Sequence, residues 1–233
     1  MRPNISFVNG NRIRPGLILS LERIWMMTDL RNVRIIWMTM DNPHAIDAVW
    51  NAASPIHGWL DDHEGQALWE WTRMTKLDVL EVGSWKGRSS TYLGAAVQST
   101  KQYRHAFCVD HFKGSREHES MFGKDIWTFP EFMENMIRLE LLGWVIPITV
   151  TSQEAVRGWN RPLGLVFIDG GHDADLVKID VEAWEPHLAV GGVIAFHDAG
   201  MAGVDAGTDY IESTGRYRRE PNRGHIWNAV KLA

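Results

Sequence analysis

The chain has 233 residues, 24 basic against 29 acidic side chains and a net charge of −5. That length accommodates one large α/β domain with an N-terminal extension, and the negative balance argues against a nucleic-acid surface. A single cysteine, Cys108, excludes an intrachain disulfide framework, and no apolar run reads as a membrane span.

Residues 1–55 read as an extension or cap. NISFV and NVRIIWMTM have strand character, and RPGLILSLERIWMM suits a helix with Pro15 near its first turn. The start, MRPNIS, lacks the basic-then-apolar form of a signal peptide, so a cytoplasmic protein is expected. Residues 56–233 read as a single domain. DDHEGQALWEWTRM predicts a helix capped by Asp61 or Asp62, with Leu68, Trp69 and Trp71 on its apolar face.

The stretch VLEVGSWKGRSSTYLGA follows, from Val79 to Ala95. It is an apolar run ending in Glu81, a turn framed by Gly83 and Gly87, and a helical segment opened by Ser89, Ser90 and Thr91. A strand–turn–helix corner of this kind binds ligands in open α/β sheets. The next run, Ala106–Val109, buries Cys108 and ends in Asp110, an acid placed to accept hydrogen bonds from ribose hydroxyls. Val145–Val150 leads into Thr151, Ser152 and Gln153. Leu163–Ile168 ends in Asp169 beside Gly170 and Gly171, and a helical pattern runs from Leu176 to Leu188. Gly191 and Gly192 open a strand, VIAF, that ends in His197 and Asp198. Tyr217–Arg219, a turn at Pro221–Gly224 and His225–Val230 read as a hairpin. Continuous apolar runs alternating with helices predict a parallel sheet covered on both faces, with polar groups gathered at its carboxyl edge.

VLEVGSWKGRSS, FCVDHFKG, SQEAVRGW, LVFIDGGHDADLVKIDVEAW and GGVIAFHDAG together resemble the class I S-adenosylmethionine-dependent methyltransferases. The similarity is to the branch of macrocin-type O-methyltransferases and cephalosporin-hydroxylase-like proteins. It covers about Ile56 to Lys231. The resemblance implies an α/β, Rossmann-like, seven-stranded, mostly parallel sheet with helices on both faces and a C-terminal β-hairpin. It further implies a cofactor site of Glu81, Gly83, Ser84, Trp85, Gly87, Asp110, His111, Ser152, Gln153 and Asp169. The expected activity is O-methylation of a small hydroxylated metabolite or sugar. The alternatives are a cofactor-binding protein of this fold without transfer activity, or a metal-dependent hydroxylase-like enzyme.

Methyl transfer to oxygen needs the acceptor held in line and its proton removed. Asp169, His172, His197 and Asp198 follow adjacent strand ends and suit that chemistry. Three readings stay open. Asp169, His197 and Asp198 hold a divalent cation, Mg or Mn; or His172 or His197 acts as a base without metal; or the two histidines only hydrogen-bond loop backbone. The related metal-dependent enzymes place an acid or amide where His197 stands, and nitrogen disfavours magnesium. Trp85 and Trp127 are the tryptophans expected near ligand. The expected partner is a small-molecule acceptor, with no nucleic acid and no membrane; homo-oligomerisation is left open.

Overall fold

A computed structural model describes residues 45–233 of the chain. The strands and helix expected within residues 1–44 lie outside the described residues.

The first described helix, α1, spans Ala45–Ala53, ahead of the expected boundary at residue 55. Its Val49, Ala52 and Ala53 are buried in the same core as the helices that follow. Helix α2 is Asp62–Met74. Asp61 is its N-cap, in a reciprocal capping box with Glu64: the Glu64 amide donates to Asp61 Oδ1 and the Asp61 amide donates to Glu64 Oε2, both at 2.9 Å. Strand β1 (Asp78–Val82) then enters the turn before α3 (Arg88–Ser99). Next come β2 (Ala106–Val109), the short α4 (Arg116–Phe122) and α5 (Phe129–Arg138). The series continues through β3 (Val145–Ile148), α6 (Ser152–Ala155), β4 (Leu163–Ile168), α7 (Ala174–Trp184), β5 (Leu188–Phe196) and α8 (Ala202–Ser213). The hairpin β6 (Tyr217–Arg223) and β7 (Ile226–Lys231) closes the chain.

The seven strands form one sheet in the order β3-β2-β1-β4-β5-β7-β6. β1 to β5 are mutually parallel, and β7 runs antiparallel between β5 and β6. This is the expected sheet with its expected hairpin. β1, β2 and β4 are buried at every position, as strands covered on both faces must be. Alternate residues feed two cores. Val79, Cys108, Leu165 and Phe167 pack with Leu68, Tyr92 and Phe132; Leu80, Val109, Val166 and Ile168 pack with Val177, Trp184 and Ile211. Chain order reverses between β1 and β4, which opens a crevice above their carboxyl ends.

Several boundaries differ from expectation: β1 runs past Glu81 to Val82, β3 stops at Ile148, and α7 ends at Trp184. β5 begins at Leu188 and runs through Gly191 and Gly192 rather than starting after them. The hairpin turn is also tighter than Pro221–Gly224: β6 extends through Pro221 and Asn222 with a register irregularity, which an edge strand tolerates because proline there costs no ladder bond. The turn itself centres on Gly224, whose φ is +63°.

Candidate active site

The crevice holds two adjoining cavities, of about 340 Å³ and 280 Å³. Gly83, Trp85, His118, Asp169 and Gly170 line both.

The larger cavity lies over β1, β2 and β4 and is walled by Asp110, His111, Ser152, Gln153 and Asp180 among others. Asp110 does structural work there. Its Oδ2 accepts the Ser84 and Trp85 amides, each at 2.8 Å, and its Oδ1 accepts the Phe112 amide at 2.6 Å. The carboxylate therefore pins the glycine turn to the end of β2. Ser152 Oγ accepts from Trp184 Nε1 at 3.1 Å. Asp180, on α7, is buried against Ser152; burial pushes its carboxyl up to about 6.

The glycine turn is built for contact between loops. Gly83 has φ +85°, and a Cβ there would stand 2.0 Å from the Asp169 carbonyl oxygen. The close approach expected of a ligand is thus made by the main chain after β4. Gly87, at φ +92°, caps α3 and packs against Met136 and Phe132; it lines neither cavity. Glu81 also lines neither. It lies fully buried, accepting from Ser90 Oγ at 2.5 Å, while its Oε1 has no partner. Burial raises its carboxyl to about 7, against the hydroxyls of Ser89, Ser90 and Ser84, with a further push from Asp169. Ser84 Oγ is likewise buried without a partner, on the wall of the smaller cavity.

The smaller cavity contains the polar cluster. A single hydrogen-bonded chain crosses it. Glu117 Oε2 lies 2.8 Å from His172 Nδ1, and His172 Nε2 lies 3.0 Å from Asp198 Oδ2. Asp198 Oδ2 is 2.8 Å from His197 Nδ1, and His197 Nε2 is 3.1 Å from Glu64 Oε2. Asp169 Oδ1 joins at 3.2 Å from His197 Nδ1. The expected trio of Asp169, His197 and Asp198 is brought together, and His172 stands with it. Donor atoms of Asp169, His172 and Asp198 fall within 4.8 Å of one another.

Charge in the cluster is strongly coupled. Burial works against a charged His197, but Asp169, Asp198 and Glu64 outweigh it and hold the imidazole protonated far above its usual range. Burial likewise opposes ionisation of Asp198, yet His172 and His197 hold it far below the carboxylate range. Asp169 is raised, chiefly by burial, despite His197. His172 is raised by its bond to Asp198 first. Protonated, the His197 imidazole donates to these carboxylates from both of its nitrogens.

The sequence did not point to Glu64, Glu117, His118 or Asp180. The Asp61-x-x-Glu64 spacing announces a capping box, but nothing local places Glu64 against a histidine 133 positions away. Glu117 and His118 come from α4, which buries no residue and is held by its side chains. His118 stacks on Trp85 with ring centres 4.2 Å apart and planes 11° apart; burial lowers its pKa. Trp85, at φ +50°, donates from Nε1 to His57 Nδ1 at 3.2 Å, and Trp59 packs on both rings. Trp127, the other tryptophan expected near ligand, packs on Phe129 and lines neither cavity.

Comparisons with known proteins agree with this fold. The fold is similar to that of the O-methyltransferase NovP, at TM-score 0.68 and 12% identity, covering 76% of this chain and 83% of that one. It is similar to an O-methyltransferase from Bacillus cereus solved with SAH, at TM-score 0.57 and 15% identity, covering 89% and 100%. It is also similar to the SAH-bound Podospora anserina methyltransferase PaMTH1, at TM-score 0.59 and 12% identity, covering 96% and 100%. In sequence, the chain is 25% identical over 177 residues to the uncharacterized protein y4gI of Sinorhizobium fredii (strain NBRC 101917 / NGR234). That alignment takes in 75% of this chain but spans only 18% of the relative's length. The methyltransferase-domain family matches residues 80–199, from inside β1 to just past Asp198, and so takes in the glycine turn, Asp110, Asp169 and the histidine pair. With just over half of its length so matched, the chain belongs to the methyltransferase-domain family.

Proposed function

We propose that the chain methylates a hydroxyl oxygen of a small acceptor, with S-adenosylmethionine in the larger cavity and the acceptor in the smaller one. The observation that carries this reading is that the two cavities meet at Asp169 and Gly170, beside His172, His197 and Asp198. When bound, S-adenosylmethionine supplies an electrophilic methyl on sulfonium, and a divalent cation supplies charge stabilisation for an alkoxide.

The residues present fit both groups. The unpartnered Ser84 Oγ on the wall of the smaller cavity is a hydrogen-bonding site next to Gly83 and Trp85, which line both cavities. Asp110, His111, Ser152, Gln153 and Asp180 offer acceptors and donors for a nucleoside along the larger cavity. Asp169, His172 and Asp198 would hold the cation, since their donor atoms lie within 4.8 Å of one another, with His197 paired to Asp169 and Asp198 beside them. The same groups orient the acceptor hydroxyl toward the junction. His57, Trp59 and the Trp85–His118 stack wall the acceptor cavity with aromatic faces.

The test is methyl transfer to a panel of hydroxylated acceptors. Asp198→Ala should abolish transfer and leave S-adenosylhomocysteine affinity within about twofold. Wild-type transfer at full rate in excess chelator would remove the cation from this reading. Cofactor binding without transfer to any acceptor would favour the binding-protein alternative.

A further inference from the structure

We propose that residues 113–127, which carry α4, form a lid over both cavities that turns about its base and must open for the cofactor to enter or leave. The inference rests on the reading of the larger cavity as the cofactor's, and it concerns how that cavity is reached.

Three observations carry it. The first is how the segment is attached. Phe112 and Thr128 are buried, at 0% and 3% exposure, and the Thr128 amide donates to the Phe112 carbonyl at 3.0 Å. The chain leaves the body at one of these residues and returns at the other, so what lies between is a loop with its ends pinned together. α4, at its centre, buries no residue. Among the described residues, no main-chain hydrogen bond joins residues 114–127 to the sheet or to another helix. Lifting the segment breaks no ladder and opens no core, and a segment with few such ties opens at low cost. Gly114 and Gly123, at φ +71° and +87°, flank α4 and supply the turns on either side of it.

The second is what the segment covers. Ser115, Arg116 and Glu119 line the larger cavity, Glu117 and Met121 line the smaller, and His118 lines both. One roof serves two cavities, so a ligand in either opposes the same opening.

The third is how the roof is held down. Away from the base, where Trp127 packs on Phe129, side chains make the contacts, and they meet the site itself. Glu117 Oε2 lies 2.8 Å from His172 Nδ1, and His118 stacks on Trp85. The Phe122 ring lies 5.8 Å from that of Trp85 and 5.9 Å from that of His57. Arg116 reaches Asp173 at 3.8 Å, both side chains being exposed. Contacts of this kind part and re-form without unfolding either element.

The experiment staples the roof shut. A Cβ at Gly171 would stand 3.9 Å from Ser115 Cβ, displacing only the end of the Leu176 side chain. That separation suits a disulfide. The double variant Ser115→Cys, Gly171→Cys, once oxidised, ties the head of α4 to the loop after β4; Cys108 is fully buried and takes no part. Oxidised and reduced forms share one sequence, so their difference reports the staple alone. Association and release of S-adenosylhomocysteine, followed by stopped-flow tryptophan fluorescence, should both slow by about tenfold or more on oxidation and recover on reduction. Phe122→Ala removes ring contacts from a residue that lines neither cavity, and should speed release by about 2- to 10-fold. In the ligand-free chain, the amides of residues 119–123 should exchange with deuterium faster than those within α3, and oxidation of the double variant should slow them. Equal rates in the oxidised and reduced forms, or exchange at 119–123 as slow as in α3, would overturn the lid. If S-adenosylhomocysteine bound neither form, the cofactor assignment of the larger cavity would fall instead, and amide exchange would still decide whether the segment opens.

Discussion

Replacing Glu81 by glutamine tests the electrostatic account of the glycine turn. Glu81 is fully buried, with one oxygen unpartnered, and its carboxyl is displaced from 4.5 to about 7. That displacement corresponds to about 3 kcal/mol between the two protonation states. The native state binds this proton more tightly than the unfolded chain does. Its contribution is therefore fully present below pH 4.5 and is lost as pH rises through about 7, accumulating about 3 kcal/mol and then levelling. Glutamine keeps the shape and cannot ionise, and the hydroxyls of Ser89 and Ser90 can turn to accept its amide protons. The histidine–carboxylate cluster titrates in both proteins and cancels in the difference apart from the smaller repulsion between Asp169 and Glu81. The variant should thus gain on wild type by about 3 kcal/mol between pH 4.5 and pH 8, or about 6–12 °C in melting temperature for a chain of this size. Urea unfolding across that range measures it. Parallel stability curves for the two proteins would refute the reasoning, because a constant offset reports only the amide's packing.

Two further substitutions probe the loops. Gly83→Ala should destabilise by about 2–4 kcal/mol, since its Cβ would meet the Asp169 carbonyl at 2.0 Å and φ is +85°; thermal unfolding would report it, and an unchanged melting temperature would deny the contact between the loops. Asp110→Ala should lower both stability and S-adenosylhomocysteine affinity, each by about 1.5–3 kcal/mol, because three amides lose their acceptor. Loss of affinity with unaltered stability would mean that the carboxylate serves ligand alone.

Much of the sheet was readable because a parallel strand buried on both faces has little freedom in composition. Polar residues are expected where such a run stops, and Asp110, Asp169 and His197 each follow a strand's last residue, whereas Glu81 lies one residue inside β1 and is fully buried. What they contact there was less readable. Gly83 and Gly87 looked like space left for a ligand, whereas backbone and core side chains fill that space. Asp110 looked free for ribose and proved to be tied to the turn. Glu64 and Glu117 escaped notice because each comes from an element outside the strand-end series and meets its histidine only through the tertiary fold. Local pattern reports what a residue does for its own helix or strand. A glutamate serving a helix cap and a distant imidazole at once displays only the first role.

The bond from the His225 amide to Glu64 has a consequence for the order of events during synthesis. His225 directly precedes β7, which follows the sheet's other strands in chain order, yet β7 must enter between β5 and β6. A nascent chain that stops at Asp198 already contains all four cluster donors, the glycine turn and both cavity floors, but Glu64 then lacks the amide that locks its carboxylate. Gly224 adds to the dependence, because a Cβ there would stand 2.7 Å from the Glu64 side chain, so that the hairpin seats directly on it. The polar cluster is therefore finished by a non-local contact that spans nearly the whole domain, formed late and slowly relative to the local helices. Until that moment the growing chain carries the parts of a catalyst without its alignment.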